Sequence, residues 1–448
     1  IKTGDDLLFS FRGEYANYRI DAMHISGDAQ LADRIYGINY YAVDTLAINT
    51  GLGNDIVNVQ ATHAGTETFI NTSDGEDQIH ISSTANGSFV NQQMADGVVD
   101  DVEGDITIDA GQGHNSLFVS DFDNLVPDTN IQLSDGSIEG LAPAGIYYDA
   151  TDGDFDYALV VWAGQGDDQA TINSVEDLGQ TITNFYANSG DDNVTVVAAD
   201  DLLAPLHSDL PEADDRRIQI WGDAGADVID ATAADLAVRV RGGDDQDIIR
   251  GGEGADVLYG GNDRDIIFGG YGNDYLNGEF PDANPILDAS DDILFGDQGT
   301  VVLNTLTGSR TIDSLPTAPD YRELDPNDVI IRAEALTSER AGDDVIDGGA
   351  GQDWVQYSSV TGGVTVDLAD GFAYSGGTDR RDLLNIEHVT GGSGGDTITG
   401  SSAANSLLGN AGGDTLFGFA GNDFIDAGAG DDTVDGGSGS DSLLGGDG

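Results

Sequence analysis

Aspartate returns at intervals of nine near the C-terminal end of this chain, and always in the same company. From Gly391 the sequence reads GGSGGDTIT, GSSAANSLL, GNAGGDTLF, GFAGNDFID, AGAGDDTVD, GGSGSDSLL and then GGDG, the opening of another unit. The sixth place holds Asp396, Asp414, Asp423, Asp432 and Asp441, with Asn405 the one departure. If two units make one turn of a flattened coil, residues eighteen apart stack. Asp396, Asp414 and Asp432 then line one edge, and Asp423 and Asp441 the other, at about 4.8 Å per turn. Two carboxylates about 4.8 Å apart repel by roughly 3.5 kcal/mol at an effective dielectric of about 20. Such a ladder calls for a cation between its turns. Carboxylates and backbone carbonyls, without thiolate or imidazole, make a hard oxygen cage that suits calcium better than zinc or copper.

The elements that must hold these carboxylates are legible in the same nine residues. Glycine before the aspartate allows a turn with positive φ and inward carbonyls. A three-residue strand follows, its single inward side chain supplied by the eighth place: Ile398, Leu407, Leu416, Ile425, Val434 and Leu443. A flexible glycine-rich linker would not keep that aliphatic residue. Four more units, GGDDQDIIR, GGEGADVLY, GGNDRDIIF and GGYGNDYLN, cover 242 to 277 and stack Asp247 on Asp265 and Asp256 on Asp274. In the first of these pairs the fourth place is Asp245 and Asp263 instead of glycine, which would either enrich the ion site or distort the loop; aspartate tolerates the left-handed region, so the turn itself should survive. The period lapses after Gly278, where GTVVLNTLTGSRTIDSL reads as a hairpin, and resumes with ERAGDDVID and GGAGQDWVQ, which place Asp344 and Asp353.

These units resemble the calcium-binding nonapeptide of the repeats-in-toxin (RTX, hemolysin-type) family, whose members bind calcium between paired turns through the aspartate and the carbonyls of the glycine-rich loop. The resemblance covers about 242 to 448 well. It implies several calcium ions held by Asp247, Asp256, Asp265, Asp274, Asp344, Asp353, Asp396, Asp414, Asp423, Asp432 and Asp441, with loop glycines such as Gly251, Gly252, Gly254, Gly269, Gly270 and Gly272. The stretch from Tyr357 to Gly392 is similar to the segment preceding the calcium repeats of serralysin-type secreted proteases.

From Thr45 a looser repeat runs strand, acidic turn, strand: LAINTGLGNDIVNV, TFINTSDGEDQIHI, ITIDAGQGHNSLFV, LVVWAGQGDDQATI and ITNFYANSGDDNVTV. The second and fourth residues beyond each acid are apolar (Val57 and Val59, Ile79 and Ile81, Leu117 and Val119, Ala170 and Ile172, Val194 and Val196), which turns one strand face to a core. Asp55 to Asp77 and Asp168 to Asp192 are longer steps than the tail's, so the coils are wider. Asp55, Asp77, Asp168, Asp192 and Asp227 either ligate calcium or only hydrogen-bond the turn backbone; Asn115 favours the second locally. DGDFDY at 152–157 looks like half of an EF-hand loop, without its glycine and glutamate. The expected fold is all-β, an elongated right-handed parallel β-helix continuing into a calcium-binding parallel β-roll. It divides into N-terminal cap or contact strands (1–44), wide-coil β-helix (45–241), a first roll block (242–277), an insertion with a hairpin (278–340) and a second roll block (341–448).

Composition narrows the function. Sixteen Lys and Arg stand against 82 Asp and Glu, a formal net charge of −66, and Lys2 is the only lysine. Nucleic acid and anionic membranes both need clustered basic side chains and are excluded as partners. No apolar run is long enough for a membrane span. With no cysteine, neither disulfides nor thiolate metal sites hold the fold. Ile1 opens no signal peptide and Gly448 falls inside a repeat, so the chain reads as a piece of a longer one.

No histidine lies in an H-E-x-x-H motif, and G-x-S-x-G at 391–395 sits inside a repeat, not at a strand-to-helix elbow. Arg216, Arg217, Arg239, Arg241, Arg250 and Arg264 read as surface pairing more simply than as a catalytic groove. The expectation is a non-catalytic secreted structural protein at the cell surface or outside the cell. It would be a surface-layer, filament or adhesin subunit that associates with itself or with neighbouring domains, and a cell-surface glycan is a further candidate partner. The alternative is an accessory β-helix of a secreted enzyme, or a polysaccharide lyase or epimerase. Tyr259, Phe268, Tyr275, Trp354, Phe417 and Phe424, at outward places seven and nine, either shield the roll's face or dock a neighbour.

Overall fold

Short strands with one or two inward aliphatic residues bury almost nothing alone, so each has to stack on a copy of itself. The computed structural model describes residues 7–10, 15–22, 38–40, 43–85, 97–151, 153–173, 183–197, 218–271, 274–278, 293–295, 299–305, 308–311, 329–333, 345–348, 352–358, 360–375 and 379–448. Every regular element among them is a β-strand. The chain forms two units, Ile1–Asp223 and Ala224–Gly448.

In the first unit Asn54–Val59, Gln78–Ile81, His114–Ser120, Asp154–Trp162 and Thr183–Tyr186 pair in parallel, each with the same strand of the next coil. A second sheet stacks Thr45–Asn49, Glu67–Asn71, Ile106–Asp109 and Ile146–Asp149 in the same way. Leu7–Ser10 and Tyr15–Ala22 add to these two sheets in parallel register, against Thr45–Asn49 and Asn54–Val59. The apolar pairs that alternate after each acidic turn face inward: Val57, Val59, Ile79, Ile81, Leu117, Val119, Ile172 and Val196 are all fully buried. On the outer face the coil repeat stacks rings as well. Tyr186 lies between Trp162 and Trp221, with centroids 5.4 and 4.3 Å away.

The second unit repeats on a shorter step. Ile248–Arg250, Ile266–Phe268, Ile293–Phe295, Trp354–Gln356, His388–Thr390, Ser406–Leu408, Phe424–Asp426 and Ser442–Leu444 form one parallel sheet. Thr397–Thr399, Thr415–Phe417 and Thr433–Asp435 belong to the other, in an eighteen-residue register that sets Ile398 on Leu416 and Leu416 on Val434. The eighth-place side chains Ile249, Leu258, Ile267, Leu276, Ile398, Leu407, Leu416 and Ile425 are wholly buried and make the core. Two excursions interrupt the coil. Gly299–Thr305 pairs antiparallel with both Gly308–Thr311 and Val329–Ala333. Phe372–Ser375 links Val364–Asp367 to Asp379–Leu384 by antiparallel pairing.

Of the aromatics at places seven and nine, Phe268 is buried, Tyr259, Tyr275, Trp354 and Phe417 are half-buried and Phe424 is exposed. Phe268 is 1% exposed beneath the Arg250 guanidinium, 5.7 Å from its ring, while Phe424 stays 39% exposed. Arg250 in turn pairs with Asp230 at 3.3 Å, and Arg241 lies 5.7 Å over Tyr259. Arg216 and Arg217 lie outside the described residues.

Candidate metal sites

One hydrogen-bond pattern recurs wherever an acidic turn stacks on another. The backbone N–H of Asp396 donates to Oδ1 of Asp414 (2.8 Å), that of Asp414 to Asp432 (2.9 Å), and that of Asp423 to Asp441 (3.1 Å). Asp247 donates to Asp265 and Asp256 to Asp274, both at 2.9 Å, and Asp227 to Asp247 at 2.8 Å. The wide coils use the same latch: Asp55 to Asp77 and Asp168 to Asp192, both 2.7 Å, and Asp77 to the Asn115 amide oxygen at 3.0 Å. The carbonyl of the latched residue takes an N–H from the following coil, as Asp396 does from Thr415 and Asp414 from Thr433. One carboxylate oxygen is thereby fixed as a backbone cap.

The other oxygen is what a cation could use. Oδ2 of Asp414, Asp423 and Asp432 is buried with no hydrogen-bond partner. A buried, unsatisfied carboxylate oxygen is costly, which makes it a strong indication of a missing counter-charge. Beside it stands a carbonyl from the next coil. A Cβ added to Gly409 would lie 2.7 Å from Asp414 Oδ2 and 2.5 Å from the Ala427 carbonyl, and one on Gly418 would lie 2.4 Å from Asp423 Oδ2 and 2.7 Å from the Gly436 carbonyl. The glycine leaves an oxygen-lined cradle that any side chain would fill. Hard oxygens on one side and a carboxylate on the other fit calcium. Asp247, Asp256, Asp265, Asp274, Asp353, Asp396, Asp414 and Asp423 all sit in such turns at no more than 2% exposure, whereas Asp432 and Asp441 are more open. Gly252 and Gly270 bring their turns within reach of neighbouring carbonyls, and a Cβ on Gly254 would strike the backbone at Ala237. Asp344 and Gly272 lie outside the described residues, as do the side chains of Asp152, Asp154 and Asp156. Asp245 and Asp263 hold the left-handed backbone of the fourth place, with φ of 75° and 70°, so aspartate does stand in for glycine there.

Burial raises the carboxylates it encloses. Asp396 is pushed up to about 6, chiefly by desolvation, against N–H donors from Val364 and Gly392 and with the Asp414 charge adding to the rise. Asp77 and Asp168 reach about 6 for the same leading reason. Asp414 and Asp423 rise through burial, with the charges of Asp432 and Asp441 adding.

Three participants do not follow the nine-residue pattern. Glu387 takes an aspartate's place: its carboxylate accepts the Asp353 N–H at 3.2 Å and its carbonyl accepts Asn405 Nδ2 at 2.8 Å. It stands eighteen residues before Asn405, so the period could have found it. Asn405 turns its amide oxygen to the Ser401 N–H (2.7 Å), the bond that Asp396 Oδ2 takes from Gly392, but it brings no charge to the turn. Asp128, whose N–H meets Asp168 Oδ1 at 2.7 Å, is forty residues from its partner and carries no periodic signal.

The stacked eighteen-residue coils with their capped, oxygen-lined turns define a parallel β-roll that binds calcium. A family model described as RTX calcium-binding nonapeptide repeat (4 copies) matches residues 219–235, 241–276, 340–356, 390–424 and 417–448. The chain therefore carries the calcium-binding nonapeptide repeats of the RTX family, and its cofactor is calcium, in several copies. No curated protein sequence matches the chain.

Proposed function

We propose that this is a secreted structural protein, a surface-layer, filament or adhesin subunit without catalytic activity, whose roll folds and stiffens when it meets external calcium. The observation that carries this reading is the ladder of buried, stacked carboxylates, with Oδ2 of Asp414, Asp423 and Asp432 lacking a hydrogen-bond partner, in a chain of net charge −66 with only 16 basic residues. The molecule cannot neutralise its own turns. A ligand that binds only the folded state stabilises it in proportion to RT ln(1 + [L]/Kd), site by site. Folding would thus follow the calcium concentration of the compartment. The pairing of Arg250 with Asp230 and the stacking of Arg241 on Tyr259 favour this reading over an arginine-lined catalytic groove.

The test is a calcium titration of the purified chain followed by circular dichroism and hydrodynamic size, with magnesium as control and imaging of the endpoint. Calcium, and not magnesium, should add β-structure, and the product should then assemble into filaments or sheets. A folded chain indifferent to chelation would remove the calcium switch. One that folds with calcium but stays monomeric would remove the structural-subunit role.

A further inference from the structure

The same latch closes two kinds of coil, and the residue five places before the acid separates them. In residues 224–448 that place is glycine at Gly242, Gly251, Gly260, Gly409 and Gly418, where an added Cβ would come within 2.1 to 2.7 Å of the carboxylate oxygen. In the wide coils the places five before Asp55, Asp77, Asn115, Asp168 and Asp192 are Thr50, Thr72, Ala110, Ala163 and Ala187. None of these is more than 1% exposed. A side chain already occupies the volume that glycine leaves open in the roll.

Thr72 makes the substitution explicit. Its hydroxyl donates to the Ala110 carbonyl at 3.2 Å and lies against the Asp77 carboxylate. In the roll the corresponding carboxylate and carbonyl are those of Asp414 and Ala427, the two groups facing the Gly409 cradle. The Thr72 hydroxyl therefore takes up the carbonyl that faces the cradle in the roll, and its side chain fills the glycine's volume beside Asp77, whose Oδ2 keeps no hydrogen-bond partner. Next in the column is Asn115, whose neutral amide caps Asp77 without adding charge. The segments matched by the RTX model also begin only at residue 219.

We propose that calcium acts on residues 224–448 alone and that the wide coils of residues 43–197 fold without it, a threonine hydroxyl or an alanine methyl standing where the ion would. This rests on the calcium-binding reading of the roll. The acids Asp55, Asp77, Asp168 and Asp192 are then turn caps and not ligands. By the same rule Asp432, preceded by Ala427, holds calcium less well than Asp414 or Asp423.

Hydrogen–deuterium exchange of the 448-residue chain in EGTA, in calcium and in magnesium tests this directly. Amides of Asn54–Val59, Gln78–Ile81 and His114–Ser120 should be equally protected in all three, whereas those of Thr397–Thr399, Thr415–Phe417 and Phe424–Asp426 should slow by more than about tenfold in calcium only. Loss of protection in both regions on chelation would overturn the partition and leave calcium binding intact. No response in either region would overturn both. Native mass spectrometry of single variants gives an independent reading: Thr72→Gly should add one calcium ion per chain and Gly409→Thr should remove one. An unchanged count in both variants would overturn the occupied-cradle argument.

Discussion

A single residue departs from the backbone rule that the last coils otherwise keep. From Asn410 onward the second place of each unit has a positive φ, held by glycine at Gly428, Gly437 and Gly446, by asparagine at Asn410, and by phenylalanine at Phe419 with φ of 71°. A bulky side chain in the left-handed region costs roughly 1–2 kcal/mol, and at 53% exposure Phe419 recovers little of that by burial. Phe419→Gly should stabilise the calcium-loaded chain by about 1 kcal/mol, read as a higher denaturation midpoint at saturating calcium; a fall would mean that the ring has a partner. Protons and calcium compete at the same oxygens. Asp396 is raised to about 6, so its turn gains from protonation: without calcium that stabilising contribution is complete below about 3.8 and is lost as pH rises through about 6. Calcium requires the ionised form and reverses the sign. The calcium concentration at half-folding should rise as pH falls through about 6, while the chain in EGTA should become more stable over the same interval. Parallel slopes in the two conditions would contradict the assignment.

At the level of the strand, the eighth-place side chain is the whole of a coil's apolar contribution to that edge. Leu416 is fully buried between Ile398 and Val434, so Leu416→Ala should cost about 2–5 kcal/mol, whereas Leu52→Ala, at 64% exposure, should stay within about 0.5 kcal/mol. Equal effects in chemical denaturation would mean that the coil stack is not the cooperative unit. These positions are legible in the sequence because nine-residue spacing and β alternation fix both the acid and the aliphatic residue. Asp128 is not, because forty residues separate it from Asp168; Glu387 keeps the eighteen-residue step to Asn405, but its step of 34 from Asp353 depends on the excursion at Phe372–Ser375, which no period announces. Phe268 and Arg250 occupy outward places yet are 1% and 4% exposed; alternation tells which face a side chain takes, not whether that face is covered. The difference between Thr72 and Gly409 is visible as letters, but its meaning needs the carbonyl of the following coil.

Across the whole molecule, charge outweighs every local preference. With a net charge of −66, self-repulsion opposes compaction of the roll until cations are bound. Raising sodium chloride from about 0.05 to about 0.5 M shortens the screening length from roughly 14 to 4 Å, which should contract the chain measured in EGTA but restore little exchange protection in the roll. Full protection with sodium alone would show that screening suffices and that no specific ion is needed. The latch also has a direction. Every described donor in it, from Asp55 to Asp423, gives its N–H to a carboxylate or amide that comes later in the sequence. No coil holds its own clasp; the clasp arrives with the next one. A chain emerging N-terminus first would carry each turn open until about eighteen further residues had followed, so growth or export in that sense leaves a single unlatched coil at the moving front. Trimmed from its C-terminal side, the roll would come undone one coil at a time.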